Sequence, residues 1–193
     1  MTSAPPPKDL PLYERLLGPA WPQLSPAIQR AHHVTEQLDS AGHFDIIRGC
    51  GFLARLLLPW MGMPPAGQNV PTRLRMLRRG ECEEWLRSFG EFPLNSIQHI
   101  HTRSVLAERF GRFEVRFRVE VRSGGICYRQ CRGAVRLIGC WLPLPMWLST
   151  RIDAAETPGQ APNRTRVHVT VRLPLAGLLL EYRGEMETQE NRS

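Results

Sequence analysis

Residues 112–121 read RFEVRFRVEV, and this run constrains the fold more than any other stretch of the 193-residue chain. Phe113, Val115, Phe117, Val119 and Val121 share one face of an extended backbone, and Arg112, Glu114, Arg116, Arg118, Glu120 and Arg122 share the other. Such period-two alternation predicts a β-strand with one face on a core and one in water. Ser123-Gly124-Gly125 then turns the chain into residues 126–137 as the second arm of a hairpin. In that arm Ile126 and Tyr128 share a face whose parity Val135 and Leu137 do not keep, which predicts a bulge near Gly133.

Strand signals recur on both sides of this hairpin. Strands are expected over 43–48, 72–79, 82–89 and 178–186, over the alternating Val167, Val169, Val171 and Leu173, and as one long bent strand over 97–110. Helices are expected in three places. The first covers LPLYERLLG from Leu10. The second starts at Ser25 as N-cap with Pro26 behind it and runs along Ile28, Ala31, His32, Thr35 and Leu38 to stop before Gly42. The third presents Phe52, Leu53, Leu56, Leu57 and Trp60 as one apolar face, for which a sheet is the expected partner. The class is therefore α+β. Its centre is a strongly curved, mostly antiparallel sheet of seven to ten strands, a partial or closed barrel of lipocalin-like or START-like design, with N-terminal helices and one helix packed on the sheet. Residues 1–9 read as a flexible leader, 10–187 as a single domain and 188–193 as a polar tail.

Composition excludes more than it selects. The formal charge of +7 comes from 24 arginines, since Lys8 is the only lysine, and such a bias most often reflects a GC-rich coding sequence. No aromatic residues interleave with the arginines on the polar faces, so a single-strand nucleic-acid surface is not expected. The five cysteines have no paired CxxC spacing and read as reduced thiols. His99, His101 and His168 could converge on a metal if their strands paired, but Arg103 continues the face of the first two and marks it as the solvent side, so neither metal nor cofactor is expected. MTSAPPPKDL lacks an apolar core after a basic start, and no segment reaches the length of a membrane span, so a cytoplasmic chain is expected.

Taken in order, LYERLLGPAW, RGCGFLARLLLPWMGMPPAG, WLRSFG, ERFG, FEVRFRVEV, the LPLP turn and LLLEYRG resemble the bacterial DUF4166 family from about Leu12 to Gly184. That family is a domain of unknown function that occurs alone and appended to nicotinamide-dependent oxidoreductase-like proteins. The resemblance thus implies a fold and an association with an oxidoreductase partner, and no established activity.

The candidate site residues come from strand parity. Trp85, Arg87 and Phe89 share a face; if the aromatics point inward, Arg87 goes with them, and its guanidinium needs a carboxylate or an anionic ligand. It anchors a ligand, or it forms a structural ion pair with Glu108 or Glu156, or it snorkels at the rim. Glu108 is either that partner or a general acid or base. Phe113 and Phe117 supply walls, and Tyr128 a hydroxyl. Trp141, in the segment GCWLPLPMWLST, belongs either to a plug at one end of the sheet or to a mobile entrance. Three functions are compatible with these residues: non-catalytic binding of a small apolar or amphipathic, lipid-like ligand in the sheet cavity, an accessory module for an oxidoreductase with its core filled by side chains, and a cavity enzyme of cyclase or isomerase type using Glu108 or Tyr128.

Overall fold

Six successive hairpins, each closed by a two-residue turn, roll the middle of the chain into a cylinder. The computed structural model describes residues 9–189 except Met146, Leu148 and Leu175, so most of the expected leader and the end of the expected tail lie outside the described residues. The strands are β1 (Gln37–Arg48), β2 (Gly67–Arg79), β3 (Cys82–Phe89), β4 (Phe92–Thr102), β5 (Val105–Phe110), β6 (Phe113–Arg122), β7 (Gly125–Leu137), β8 (Cys140–Pro143), β9 (Arg151–Pro158), β10 (Arg164–Leu173) and β11 (Gly177–Gln189). All pairings are antiparallel in the order β6-β5-β4-β3-β2-β1-β11-β10-β9-β7. The β6–β7 hairpin closes this ten-strand ring, and β8 lies outside it against β7.

The run that opened the sequence behaves as its alternation requires. Val115, Phe117 and Val119 of β6 are buried, and Ser123 and Gly124 both take positive φ (49° and 74°), the twist that a two-residue hairpin turn demands. The bulge sits at Cys131, where Phe117 pairs with Gln130 and Arg116 with Arg132, so Gly133 and Val135 regain the inner face. One polar-face residue departs from the pattern. Glu114 is buried on the outside of the barrel beneath Arg109 and Arg116, whose Nε atoms donate to its two oxygens at 2.8 and 2.9 Å. Burial alone would raise its pKa, but these two bonds and charges hold it below the ordinary carboxylate value.

Several boundaries differ from expectation. The long strand over 97–110 is two strands, because Arg103-Ser104 turns, with Ser104 at φ 60°. The second helix, α2 (Pro26–His32), stops well before Leu38, and β1 begins at Gln37. Its Gly42 is a crossing point and not a helix end: a Cβ there would lie 1.8 Å from the carbonyl oxygen of Glu185. Gly184 on β11 faces the same constraint, with a virtual Cβ 2.1 Å from the His43 carbonyl oxygen and 2.7 Å from the Phe44 ring. Gly184→Val should therefore cost about 3 kcal/mol or more, because the obstacle is backbone in a closed ladder. A chemical-denaturation midpoint within ~0.5 kcal/mol of the parent would refute the crossing argument.

The first helix, α1 (Leu12–Leu17), a 3-10 turn (Gly18–Gln23) and α2 seal one end of the barrel. Ser25 caps α2 by accepting from Ile28 N–H, and its own N–H donates to the Gly124 carbonyl at the β6–β7 turn, 2.8 Å away. Arg15 reaches the Glu81 carbonyl in the β2–β3 turn at 3.0 Å. Tyr13, Leu16, Ile28 and Val34 fill this closed end together with Met76, Leu106 and Ile126.

The third helix, α3 (Phe52–Trp60), crosses the opposite end between β1 and β2, and here the sequence expectation needs correction. Its buried residues are Ala54 and Leu58, with Leu57 partly covered, whereas Phe52 is 79% exposed, Leu56 59% and Trp60 61%. The apolar stripe is real but wider than the contact. The helix rests on the rim by one edge and turns the rest of its apolar face outward. No helix among the described residues is long and apolar enough to cross a membrane.

Candidate functional site

The barrel is hollow. Between the sealed end and α3 lies a cavity of about 540 Å³ whose lining is graded from apolar to polar. Towards α3 it is bounded by Leu57, Trp60, Met63, Phe89, Phe110, Phe113, Val135, Leu137 and Leu144. At mid-height Arg87 and Glu108 meet across β4, and at the sealed end Tyr13, His32, Gln98, Tyr128 and Glu156 converge.

Strand register explains the middle layer. Trp85 pairs with Ser96, and Gln98 with Glu108, so β3, β4 and β5 bring Arg87, Ser96 and Glu108 together on the inner face. Arg87 Nη2 forms an ion pair with Glu108 Oε1 and also donates to Ser96 Oγ at 3.0 Å; Ser96 Oγ in turn donates to Glu108 Oε1 at 2.6 Å. The guanidinium carbon lies 4.9 Å from the Trp85 ring centre and 5.8 Å from that of Phe110. Burial would lower the Arg87 pKa, but the Glu108 carboxylate more than offsets it and keeps the guanidinium charged. Arg87 Nε, buried too, has no acceptor among the described residues.

The closed-end layer is tied by hydrogen bonds that span the whole sequence. Tyr13 Oη donates to Gln98 Oε1 at 2.9 Å, and Tyr128 Oη lies 3.2 Å from Tyr13 Oη and 3.0 Å from Glu156 Oε1. His32 Nε2 sits 2.8 Å from Glu156 Oε2, and its ring stacks at 4.0 Å on Tyr13. Burial and then the Glu156 charge push both tyrosine hydroxyls far above their ordinary pKa. Burial would raise Glu156 as well, but the His32 interaction and the Tyr128 bond hold it below the ordinary carboxylate value. Tyr182 is pushed up to about 12 by burial, against the opposing pull of Arg87.

Residues 24–186 match the sequence profile of "Domain of unknown function (DUF4166)", which covers most of the chain. The chain belongs to the DUF4166 family. Among curated proteins, none matches this DUF4166 chain. Two solved structures are similar to it in outline. A secretary abundant heat soluble (SAHS) protein from Ramazzottius varieornatus is 8% identical, with a TM-score of 0.39, over 77% of this chain and 91% of its own. A protein described as GphF Dehydratase 1 is 9% identical, with a TM-score of 0.19, over 83% and 81%. At these scores neither likeness carries an argument about this DUF4166 domain.

Of the residues singled out from the sequence, Trp85, Arg87, Phe89, Glu108, Phe113, Phe117 and Tyr128 all line the cavity. Trp141 does not. It stands on β8 outside the ring, where the Arg109 guanidinium lies 5.5 Å from its ring centre, and Leu144, Ser149 and Thr150 of the following segment reach the cavity instead. His99 and His101 lie on the outer wall, and His168 pairs there with Glu181 at 3.0 Å; among the described residues no cluster of potential ligands could hold a metal.

Sequence reasoning missed Tyr13 and Gln98 as cavity residues, and it considered Glu156 only as a partner for Arg87, whereas Glu156 lies against His32 and Tyr128. His32 carried a visible signal, since it falls on the apolar stripe of α2 with Ile28 and Ala31, a position that puts an imidazole into the core. No local pattern placed Glu156 beside His32, because β9 does not alternate clearly.

Proposed function

We propose that this DUF4166 domain binds a small amphipathic ligand inside the barrel without transforming it. The observation that carries this reading is the cavity itself: about 540 Å³, mostly apolar walls, with the Arg87–Glu108 pair at its middle and the Tyr13, Tyr128 and Glu156 group at its closed end. Trp85, Phe89, Phe113 and Phe117 supply the walls. Arg87 supplies the anchor, since its unpartnered Nε suits an oxygen of a carboxyl, hydroxyl or carbonyl head, while the tail lies toward α3. The two groups first considered for proton transfer are poorly suited to it. Glu108 is held by Arg87 and Ser96, and the Tyr128 hydroxyl is pushed far from neutrality. The volume of the cavity likewise favours ligand binding over an accessory module whose core is filled by its own side chains.

The test is direct. A delipidated sample should take up one long-chain fatty acid or isoprenoid alcohol per chain in native mass spectrometry and should melt at a higher temperature with it. Ala154→Phe, which adds a ring to the cavity wall, should weaken uptake at least tenfold, with Val169→Phe as an independent blockade. If no lipid-like species binds the parent chain and no thermal shift occurs, the reading fails.

A further inference from the structure

Among the described residues, eight of the ten large hydrophobic side chains that stand exposed lie on two neighbouring segments at the α3 end of the barrel, four on α3 and four along the β7–β8 hairpin and the segment after it. The two groups adjoin. Trp60 packs edge-on to Phe113 with ring centres 5.2 Å apart, Phe113 pairs with Val135, and Arg136 N–H donates to the Arg112 carbonyl at 2.7 Å. Ile138 forms the hairpin tip and is fully exposed at 104%. This patch surrounds the cavity mouth, because the exposed Trp60 and Leu137 also line the cavity, with the half-buried Phe113 and Leu144 beside them.

Charge at this end has one dominant sign. Arg55 on α3, Arg112 in the β5–β6 turn, Arg136 beside the hairpin tip and the paired Arg151 and Arg172 are all exposed, and none is ion-paired among the described residues. The turns at this end offer Glu91 as their carboxylate. Elsewhere on the outer wall the charge is mixed: Arg75 pairs with Asp39, Arg109 and Arg116 with Glu114, Arg164 with Glu187 and Arg166 with Glu185, while Arg73, Arg118 and Arg183 stand exposed without an ion pair among the described residues but away from any apolar patch. Unpaired arginines around an apolar patch with tryptophan match an anionic lipid surface, where apolar groups enter the headgroup region and guanidiniums meet phosphates.

We infer that the α3 end of the barrel docks on an anionic membrane surface, seating the cavity mouth against the lipid. An apolar ligand would then pass between bilayer and barrel without crossing water. A protein partner or a second copy would also cover apolar surface, but the unpaired positive ring favours the phosphate-bearing surface. The docking rests on surface residues alone, so it can be tested apart from ligand uptake.

Sedimentation with vesicles of phosphatidylcholine, with and without about 30% phosphatidylglycerol, provides the test. The full chain should partition at least tenfold more onto the anionic vesicles and should be released as salt rises from about 20 to about 300 mM. Each of Arg55→Glu, Arg112→Glu and Arg136→Glu should weaken partition by roughly fivefold or more. Phe52→Glu and Ile138→Asp should weaken it without changing the circular dichroism spectrum, since both sites are exposed. Brominated lipid should quench tryptophan fluorescence in the anionic vesicles, through Trp60 and Trp147. Ala154→Phe should still dock, so a chain that docks but takes up no lipid would defeat the ligand reading and leave this one standing. Equal partition onto neutral and anionic vesicles, or none on either, overturns the inference. So does a stable dimer that Phe52→Glu dissociates while the parent ignores vesicles.

Discussion

Glu108→Ala is expected to destabilise the barrel by about 3–5 kcal/mol, the usual result of removing one partner of a buried ion pair and leaving the other charge behind. Arg87 and Glu108 are 11% and 9% exposed at their side chains, and Arg87 already has one unpartnered nitrogen, so no local group can replace the carboxylate. In a chain of this length the loss should lower the melting temperature by roughly 10 °C. The companion variant makes the test specific. Arg87→Met combined with Glu108→Leu removes both charges and keeps their volume, and it should recover most of the lost stability, because the pair must overcome its own desolvation. Denaturant midpoints read at unchanged slope would show this directly. A double variant as unstable as Glu108→Ala alone would mean that packing at mid-barrel, and not the orphaned charge, sets the cost. The double variant also bears on binding. It should still hold an apolar hydrocarbon, yet lose affinity for a carboxylate-headed ligand, because the anchor is gone while the walls remain.

How much of this was legible in advance follows from what periodicity can report. Alternation identified the face of a strand, so Phe113, Phe117, Trp85 and Arg87 could be assigned to the interior before their neighbours were known. It also located the Cys131 bulge within two residues, because a bulge leaves its mark as a change of parity. Helical periodicity identified the apolar stripe of α3 equally well. It could not say that the rim would cover Ala54 and Leu58 and leave Phe52, Leu56 and Trp60 outside, since what covers a face is a tertiary fact. The same limit hid Glu114, which counts as an outward residue by parity and is buried by two arginines from its own face. Trp141 was misplaced for a related reason: its strand pairs with β7 beyond the point where β7 leaves β9, and nothing in LPLP marks that divergence. The closed-end network needs contacts across more than a hundred residues, His32 to Glu156 and Tyr13 to Tyr128, and no local pattern encodes them.

That network supports the second large effect, which depends on pH. Glu156→Ala removes the acceptor used by both His32 Nε2 and Tyr128 Oη, two groups inside the seal between α2 and the barrel. Stranding two buried polar groups costs about 1–3 kcal/mol each, so a loss of roughly 2–6 kcal/mol is expected near neutral pH. The sign of its pH dependence follows from the carboxylate. In the folded chain Glu156 is held below its ordinary value of 4.5, so the unfolded chain binds its proton more readily. Its stabilising contribution is therefore complete above about pH 4.5 and is lost as pH falls through the folded value. The gap between parent and variant should be widest near neutrality and shrink in acid, when the parent carboxyl becomes protonated too. Hydrogen exchange should place the effect, with amides of α2 and the start of β7 losing protection before those of β3 and β4. A gap that stayed constant from neutral to acid pH would show that Glu156 contributes volume alone, and α2 would then be held by Ile28, Ala31 and the Ser25 cap without its help.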